Sequence, residues 1–419
     1  MDALRLRNFW PYFVGNLLSN CGTWFHNIAV ALLIYRLTGS TFLVGVVNFA
    51  QFMGSFAVAP WAGSFADRFD RRQLILVTQV GATVVSALLA VFQGAGLATT
   101  PVVIGLVTLL GLTFAFAVPA IQAMVPDLVP REHLASAMAM SSLTFNGARA
   151  IGPVVGALVV AHWGIGIAFA LNSLSYLGLV VGLLVVRPQQ EARRTTESAA
   201  GWWRDSFRFV RQDSALLALL MVVAAISITQ DPVSTLTPGF SSEIFGRADT
   251  LTGLLVGAFG LGSTIAAATA AARNRDPGRR LAPGCILMGA GMLGFAVAPN
   301  LPFAFAGLVV GGFFFMVANT AATTALALES PPDQRGRAMA LWSLCFLGTR
   351  PVASLGDGAL ASAVGLRAAG VALTVPVLLA GTVMAVLRRR DPRLRQIGVC
   401  PPVLAEPPAS ELPDLTAKQ

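Results

Sequence analysis

Charged side chains are scarce in this sequence, and a few of them lie inside long apolar stretches. Arg149 and Arg350 are the basic members of this set, and Asp231 and Asp357 are the acidic members. A charge held in an apolar layer costs free energy, so such residues are retained where they bind a polar ligand, carry a proton or pair with one another. The residue types therefore predict a protein that handles charge within a membrane.

Arg149 and Arg350 lie at matching places in the two halves of the chain. Residues 137–149 align with residues 338–350 after a shift of 201 positions. One interpretation is that the two arginines recognise an anionic or strongly polar substrate, or tune a proton site. The other is that each forms an internal ion pair, or caps a backbone carbonyl, and only positions its helix. The sequence leaves both open.

The candidate proton carriers are two aspartates and one histidine. Asp357 follows Arg350 by seven residues, two turns along one helix, and is the preferred candidate for proton coupling. Asp231 precedes Pro232, which predicts a break in that helix. His26 could carry a proton, although a hydrogen-bonded core histidine is the favoured interpretation.

Amide side chains accompany these groups in the apolar stretches. Asn27 lies beside the histidine, Gln51 lies in the second stretch and Asn319 in the tenth. We expect them to add hydrogen bonds to a central cavity.

The stretches that must position these residues have the length of membrane spans. Hydrophobic residues make up 55% of the 419 residues and charged residues only 12%, whereas a soluble domain is about 25% charged. Each stretch has about 20 residues, enough to cross a hydrocarbon layer about 30 Å thick. A soluble protein is excluded, and twelve spans are predicted. They lie at approximately 9–35, 41–62, 74–96, 101–125, 135–161, 165–186, 214–239, 250–272, 281–298, 302–328, 337–363 and 367–387.

The net charge of +9 is distributed unevenly between the loops. Only Arg36, Arg247 and Arg367 lie in loops on one side, and apart from the two arginines within the spans all the others lie on the opposite side. The positive-inside rule then predicts that both termini are cytoplasmic. We expect the basic residues to meet anionic lipid headgroups rather than nucleic acid.

Internal repeats predict two similar halves. Besides the shift of 201 positions, a shift of 208 aligns residues 43–72 with residues 251–280. Six plus six helices related by an axis along the membrane normal would give this pattern. The predicted parts are a six-helix bundle over 1–187, a cytoplasmic linker with an amphipathic segment over 188–213, a second bundle over 214–390 and a disordered cytoplasmic tail over 391–419.

Sequence signatures of enzymes are missing. The chain has no GxxxxGK[ST], GxSxG or HExxH pattern, and its four cysteines have no metal-ligand spacing. We therefore expect neither an enzyme nor an ATP-driven pump, and no cofactor, metal or catalytic residue.

Two short segments are distinguished by the spacing of their charged or small residues. The first joins spans two and three and has the order G-x-x-x-D-R-x-D-R-R; its members are Gly63, Asp67, Arg68, Arg71 and Arg72. The second, in span five, combines the small residues Gly152 and Gly156 with Pro153, a combination that allows close helix packing.

The first segment resembles motif A of the major facilitator superfamily, and the second resembles part of motif C, which is associated with exporters of that superfamily. The resemblance extends to nearly the whole chain, and the loop Asp67–Arg72 is similar to the branch of enterobactin exporters and macrolide efflux proteins. Asp70 departs from the motif, which has glycine there.

That resemblance implies a fold of twelve helices in two pseudo-symmetric bundles in the bacterial inner membrane. It also implies a monomer that uses the proton gradient to export a siderophore, antibiotic or secondary metabolite by alternating access. In the family, the motif A residues latch the halves together on the cytoplasmic side. Uptake or lipid flipping on the same fold, or a receptor or assembly factor that transports nothing, remain as alternatives.

Overall fold

The computed structural model of the protein describes residues 6–186, 213–246, 249–270, 277–330 and 335–390. The predicted amphipathic segment within 188–213 lies, apart from its last residue, outside these described residues, and so does the predicted tail.

Twelve helices and no strand make up the described residues, as the predicted all-α fold requires. The first six are α1 (Phe9–Thr38), α2 (Thr41–Arg68), α3 (Arg71–Gly94), α4 (Thr100–Leu128), α5 (Leu134–Trp163) and α6 (Ile165–Val185). The second six are α7 (Ser214–Ile244), α8 (Asp249–Ala270), α9 (Pro277–Ala296), α10 (Leu301–Glu329), α11 in two segments (Arg335–Leu347 and Arg350–Val364) and α12 (Leu366–Arg390).

Eight of these helices, within the described residues, are long and apolar enough to cross a membrane: α1, α3, α4, α6, α7, α8, α10 and α12. The helices α2 and α5 contain shorter apolar segments, Thr41–Met53 and Ile151–Trp163. Each segment of α11 is shorter than a membrane-crossing helix, and the first turn of α9 carries Arg279 and Arg280.

Polar caps mark where some helices begin, and a glycine marks where α1 ends. The Asp70 carboxylate accepts from the backbone N–H of Gln73 at 3.0 Å and caps α3, and Asp213 caps α7 in the same way. Gly39 ends α1 with a φ of 61°, a left-handed conformation that glycine adopts without a steric penalty.

The two ends of the helical bundle differ in composition. We call the end where α1, α3, α9 and α11 begin and α12 ends the basic end, and the other the opposite end. At the basic end, the first half has an apolar cluster of its own, built around residues such as Phe9, Tyr12, Ile75 and Met124. A second apolar core is continuous from the opposite end of the first half into the second half. The described core therefore joins the halves at the opposite end.

The closest approaches between the halves form what we call the seam: the contacts of α2 with the second segment of α11 and of α5 with α8. A Cβ added at Gly45 would lie 2.3 Å from the Ser354 carbonyl oxygen, and one at Gly358 would lie 2.9 Å from Cα of Phe42. A Cβ at Gly253 would lie 2.5 Å from the Pro153 carbonyl oxygen. The seam therefore brings backbone against backbone, which only glycine allows at these positions.

A buried charge cluster at the seam

Arg350 on α11 and Asp231 on α7 form an ion pair within the second half, beside the seam. The Arg350 Nε atom lies 3.3 Å from Asp231 Oδ1, and the two side chains are only 11% and 1% exposed. The Ser354 hydroxyl donates to Asp231 Oδ2, and the Thr235 hydroxyl donates to the same oxygen at 3.3 Å. A buried charge requires such partners. Arg350 therefore has an ion-pair partner in the structure, and its role in binding a substrate or tuning a proton site stays a prediction.

Residues of the first half complete this cluster from α2. The guanidinium carbon of Arg350 lies 4.4 Å from the centre of the Phe52 ring, a cation–π distance. The Asn48 amide donates to the Thr235 hydroxyl at 3.3 Å. The ion pair is therefore in contact with both halves, and any movement at this part of the seam changes its surroundings.

Asp357 lies one helical turn beyond Ser354 toward the opposite end, about 4.5 Å along the helix axis. Its side chain is fully buried, and neither carboxyl oxygen has a hydrogen-bond partner among the described residues. When both carboxyl groups are ionised, Asp357 and Asp231 repel each other. Its neighbour Gly358 is one of the seam glycines. A buried acid without a hydrogen-bond partner is unusual in a helix that has only a packing role.

The local shape of α7 and α11 brings these groups together. In α11, the helix is interrupted after Leu347, and its second segment starts at Arg350. The break predicted at Pro232 is confirmed: the regular helix of α7 ends at Gln230, and short helical segments continue it from Pro232 to Ile244. Proline costs one backbone hydrogen bond, and the packed surroundings keep the next turns helical.

The other predicted polar residues lie elsewhere. His26 is buried against the Phe169 ring at 5.2 Å, and neither ring nitrogen has a hydrogen-bond partner among the described residues. The prediction that His26 is a hydrogen-bonded core residue is therefore wrong as far as the described residues show. Gln51 donates to Asn27 at 3.2 Å and links α2 to α1 within the first half.

Two more buried amide oxygens lack a hydrogen-bond partner among the described residues. They belong to Asn319 on α10 and Gln230, which precedes Asp231 on α7. No described contact joins Asn319 to the charge cluster. The side chain of Arg149 is outside the described part of the chain, so its role stays a prediction.

The charged loop between α2 and α3 is described only in part. The side chains of Asp67 and Arg68 and the surroundings of Gly63 are outside the described part, so the latch between the halves also stays a prediction. Arg71 forms a 2.7 Å ion pair with Asp127 on α4, and Arg72 donates to the Leu183 and Leu184 carbonyls at the end of α6. These described contacts tie helices of the first half to one another. Asp70, which departs from motif A, is the cap of α3.

The small residues of α5 have contacts on two sides. A Cβ at Gly152 would lie 2.6 Å from Cβ of Trp24, and one at Gly156 would lie 2.2 Å from Cβ of Phe25, so both glycines pack against α1. The Pro153 carbonyl faces Gly253 across the seam. This part of α5 therefore lies between its own half and α8.

Sequence reasoning missed three members of the charge cluster: Ser354, Thr235 and Phe52. Ser354 follows Arg350 by four residues, a spacing that places both on one helix face and could have indicated it. Thr235 follows Asp231 by the same spacing. No local signal in the sequence places Phe52 beside an arginine of the other half.

Comparison with known proteins agrees with this architecture. The sequence profile of the family described as transmembrane secretion effector matches residues 2–401. The chain belongs to this family of the major facilitator superfamily. It is therefore a multi-pass membrane protein of a transporter superfamily rather than of an enzyme family, and the resemblance to the siderophore-exporter and macrolide-efflux branch is confirmed.

Similar members of the superfamily share only about a quarter of their residues with the chain. It is 27% identical to the enterobactin exporter EntS of Shigella boydii, over 80% of each chain. It is 23% identical to the staphyloferrin A transporter of Staphylococcus aureus over 61% of this chain, and 22% identical to macrolide efflux protein A of Streptococcus pyogenes over 57%. The matches span 64% and 59% of those two relatives.

Solved structures of the superfamily share the fold. A bacterial homologue of the human lysosomal transporter Spinster, in an inward-facing and unoccupied conformation, superposes with a TM-score of 0.73. The two sequences are 13% identical over 92% of this chain and 97% of that one. The predicted fold of twelve helices in two bundles is thus confirmed.

Proposed function

We propose that the protein exports a small amphiphilic molecule, such as a siderophore, antibiotic or secondary metabolite, in exchange for protons. It does so by alternating access in the bacterial cytoplasmic membrane with both termini inside, and the energy comes from the proton gradient. The single observation that carries the proposal is the buried cluster of Arg350, Asp231 and Asp357 at the seam. The functions of two relatives, export of enterobactin and efflux of macrolides, support the direction.

The arginine distribution supports the orientation. With the basic end cytoplasmic, the described contacts of the seam close the protein on its outer side. In the exchange that we propose, access is from the cytoplasm. Substrate would then enter from the side where an exporter must collect it.

Charge counting supports the proton as the coupling ion. The cluster contains one guanidinium and two carboxyl groups, so its net charge is −1 when both carboxyls are ionised and zero when one carries a proton. A net charge in an apolar layer is costly. Binding of one proton therefore neutralises the cluster, and its release leaves a charge that favours hydration.

The position of Asp357 connects that proton to the conformational change. Separation of α2 from α11 would remove Phe42 from Gly358 and Asn48 from Thr235, and it would open Asp357 to the outer solution. There the cluster takes up a proton, and closing the seam buries it in neutral form. Release of the proton toward the cytoplasm precedes the binding of the next substrate molecule, which completes an exchange.

A liposome experiment tests the proposal. The full-length protein is reconstituted with a pH-sensitive dye inside, and erythromycin or enterobactin is added as a probe. We expect the wild type to move protons when a transported probe is present. Asp357→Asn should lose the substrate-driven proton flux but keep the exchange of labelled probe at equal pH, because the substitution removes the proton site while preserving the size of the side chain.

Asp213→Asn is the matched control, because it makes the same change at the exposed cap of α7, where asparagine caps equally well. It should keep the wild-type flux. Proton flux that survives in Asp357→Asn would refute coupling at this residue. Absence of flux with any amphiphile in the wild type, accumulation in the uptake direction or lipid scrambling alone would refute proton-coupled export itself.

A further inference from the structure

Two polar groups without partners lie in the second half, apart from the ion pair. The indole N–H of Trp342 on α11 and the amide oxygen of Asn319 on α10 are buried, and neither has a hydrogen-bond partner among the described residues. A buried indole N–H normally finds an acceptor, and a buried amide oxygen normally finds a donor. The proton exchange proposed above uses neither group. One donor and one acceptor are thus left for a ligand.

Contacts between aromatic rings place the two groups at the same level of the bundle. The centre of the Phe315 ring on α10 lies 6.3 Å from the centre of the Phe346 ring on α11. The two helices are antiparallel, since α10 ends and α11 begins at the basic end. Asn319 follows Phe315 by four residues, and Trp342 precedes Phe346 by four. Both therefore lie one turn closer to the basic end and flank the same space between α10 and α11.

This face of α11 is directed toward the interior of the protein. Trp342, Phe346 and Arg350 follow one another at intervals of four residues, and Arg350 contacts the Phe52 ring of the first half. Leu347 lies on another side of the helix and is 46% exposed, as expected for a side chain in contact with lipid. The Trp342 N–H therefore lies about two turns from the ion pair toward the basic end, the end from which the proposed exporter collects its substrate.

The two polar groups are neutral and lie beside an aromatic wall. The Trp342 and Phe346 rings are stacked, with their centres 5.0 Å apart and their planes inclined by only 9°. The Ser227 hydroxyl donates to the Phe346 carbonyl at 2.5 Å and fixes this part of α11 against α7. A fixed aromatic surface beside one donor and one acceptor suits a ring that carries a neutral polar group.

We propose that Trp342 and Asn319 bind a neutral hydroxyl group of the exported molecule, and that the Phe346 ring packs against the ring that carries it. A hydroxyl accepts from the Trp342 N–H and donates to the Asn319 amide oxygen at the same time, so one group satisfies both. A carboxylate or an ether can only accept, and it would leave the Asn319 oxygen buried without a donor, which is costly. The site therefore selects hydroxylated rings. This inference rests on the proposed function, because it assigns the site to the exported molecule.

Equilibrium dialysis of the purified full-length protein in detergent tests the site with three probes at neutral pH. Naphthol has the hydroxyl group, methoxynaphthalene keeps the oxygen but cannot donate, and naphthoate is an anion. Trp342→Phe removes the N–H and keeps an aromatic ring, and Asn319→Leu removes the amide at similar size. The matched control is Trp163→Phe, which makes the same change at a tryptophan that is 67% exposed at the opposite end.

We expect the wild type and Trp163→Phe to bind naphthol about tenfold more tightly than methoxynaphthalene or naphthoate, the effect of one hydrogen bond between neutral groups. Trp342→Phe should bind naphthol about tenfold more weakly than the wild type does. Asn319→Leu should bind naphthol and methoxynaphthalene equally, a loss of preference that general damage to the fold would not produce. Absence of naphthol binding by the wild type would overturn the proposal. So would unchanged binding in Trp342→Phe or an unchanged preference in Asn319→Leu.

Fluorine NMR shows where the probe binds. Fluorotryptophan replaces the seven tryptophans, and the resonance missing from Trp342→Phe belongs to Trp342. Naphthol should shift this resonance and leave that of Trp163 in place. A Trp342 resonance that does not respond would mean that a water molecule is the only partner of its N–H, and the proposal would be wrong.

The binding test is independent of proton coupling, because dialysis needs no proton gradient. Asp357→Asn removes the proposed proton site and should bind naphthol as the wild type does. Naphthol binding that depends on Trp342 and Asn319, without any proton flux in liposomes, would overturn the proposed export and support this site. Proton-coupled export together with unchanged naphthol binding in Trp342→Phe would support the export and overturn this site.

Discussion

Gly358→Ala should open the seam without damaging the fold. The new Cβ would lie 2.9 Å from both Cα of Phe42 and the Thr41 carbonyl oxygen, whereas ordinary contact begins at 3.4 Å. The helices α2 and α11 would have to separate by about 0.5 Å, and overpacking of this kind costs about 1–3 kcal/mol. A cost of about 2 kcal/mol shifts the ratio of closed to open seam by about 30-fold.

Gly356→Ala is the matched control on the same segment of α11. A Cβ at Gly356 meets no atom within 4 Å. Alanine also raises helix propensity by about 1 kcal/mol over glycine. This gain is the same in both variants and in both states of the seam, so it cancels in the comparison. Only the clash distinguishes them.

Pulsed electron paramagnetic resonance between two spin labels can measure the opening. Thr99 and Pro299 are exposed, and each lies in a loop at the opposite end, one in each half. We expect Gly358→Ala to shift the distance distribution toward longer distances, while Gly356→Ala keeps the wild-type distribution. Identical distributions for the two variants would refute the argument that backbone contact at Gly358 sets the balance of the seam.

Three further predictions concern helix ends and contacts between helices. Asp70→Ala should lower the stability of the protein by about 1 kcal/mol through loss of the α3 cap, while Asp70→Asn keeps it; thermal unfolding in detergent checks this. A double-mutant cycle of Arg71→Ala and Asp127→Ala should give a coupling energy of about 0.5–3 kcal/mol, and additive effects would contradict the ion pair. Tyr35→Phe removes the 2.6 Å hydrogen bond to Glu243 across the halves. Since this bond is exposed, its loss should change the ratio of closed to open seam, measured by the spin-label distances, by less than about tenfold.

The number and order of the helices could be predicted because hydropathy over about 20 residues is a local property of the sequence. The ends were harder. The predicted end of α2 falls six residues before the helix ends at Arg68, and α7 extends five residues beyond the predicted 239. Polar residues at a helix end lower the hydropathy although the backbone remains helical.

The partners within the charge cluster could not be predicted. Asp231 and Arg350 are 119 residues apart in sequence, and only the packing of α7 against α11 brings them together. The sequence directed attention to the seven-residue spacing of Arg350 and Asp357, which describes one helix face. It contains no comparable signal for Phe52, because contacts between the halves depend on the three-dimensional arrangement of whole bundles.

The contact of Arg72 with the end of α6 has a consequence for the biogenesis of the protein. The last carbonyls of a helix lack partners of their own, and here Leu183 and Leu184 receive them from the start of α3. The ribosome delivers α3 before α6, so the donor is already in the membrane when the acceptors arrive. The first half can thus satisfy its own terminal hydrogen bonds before the second half is synthesised. The seam with α8 and α11 can form only after that.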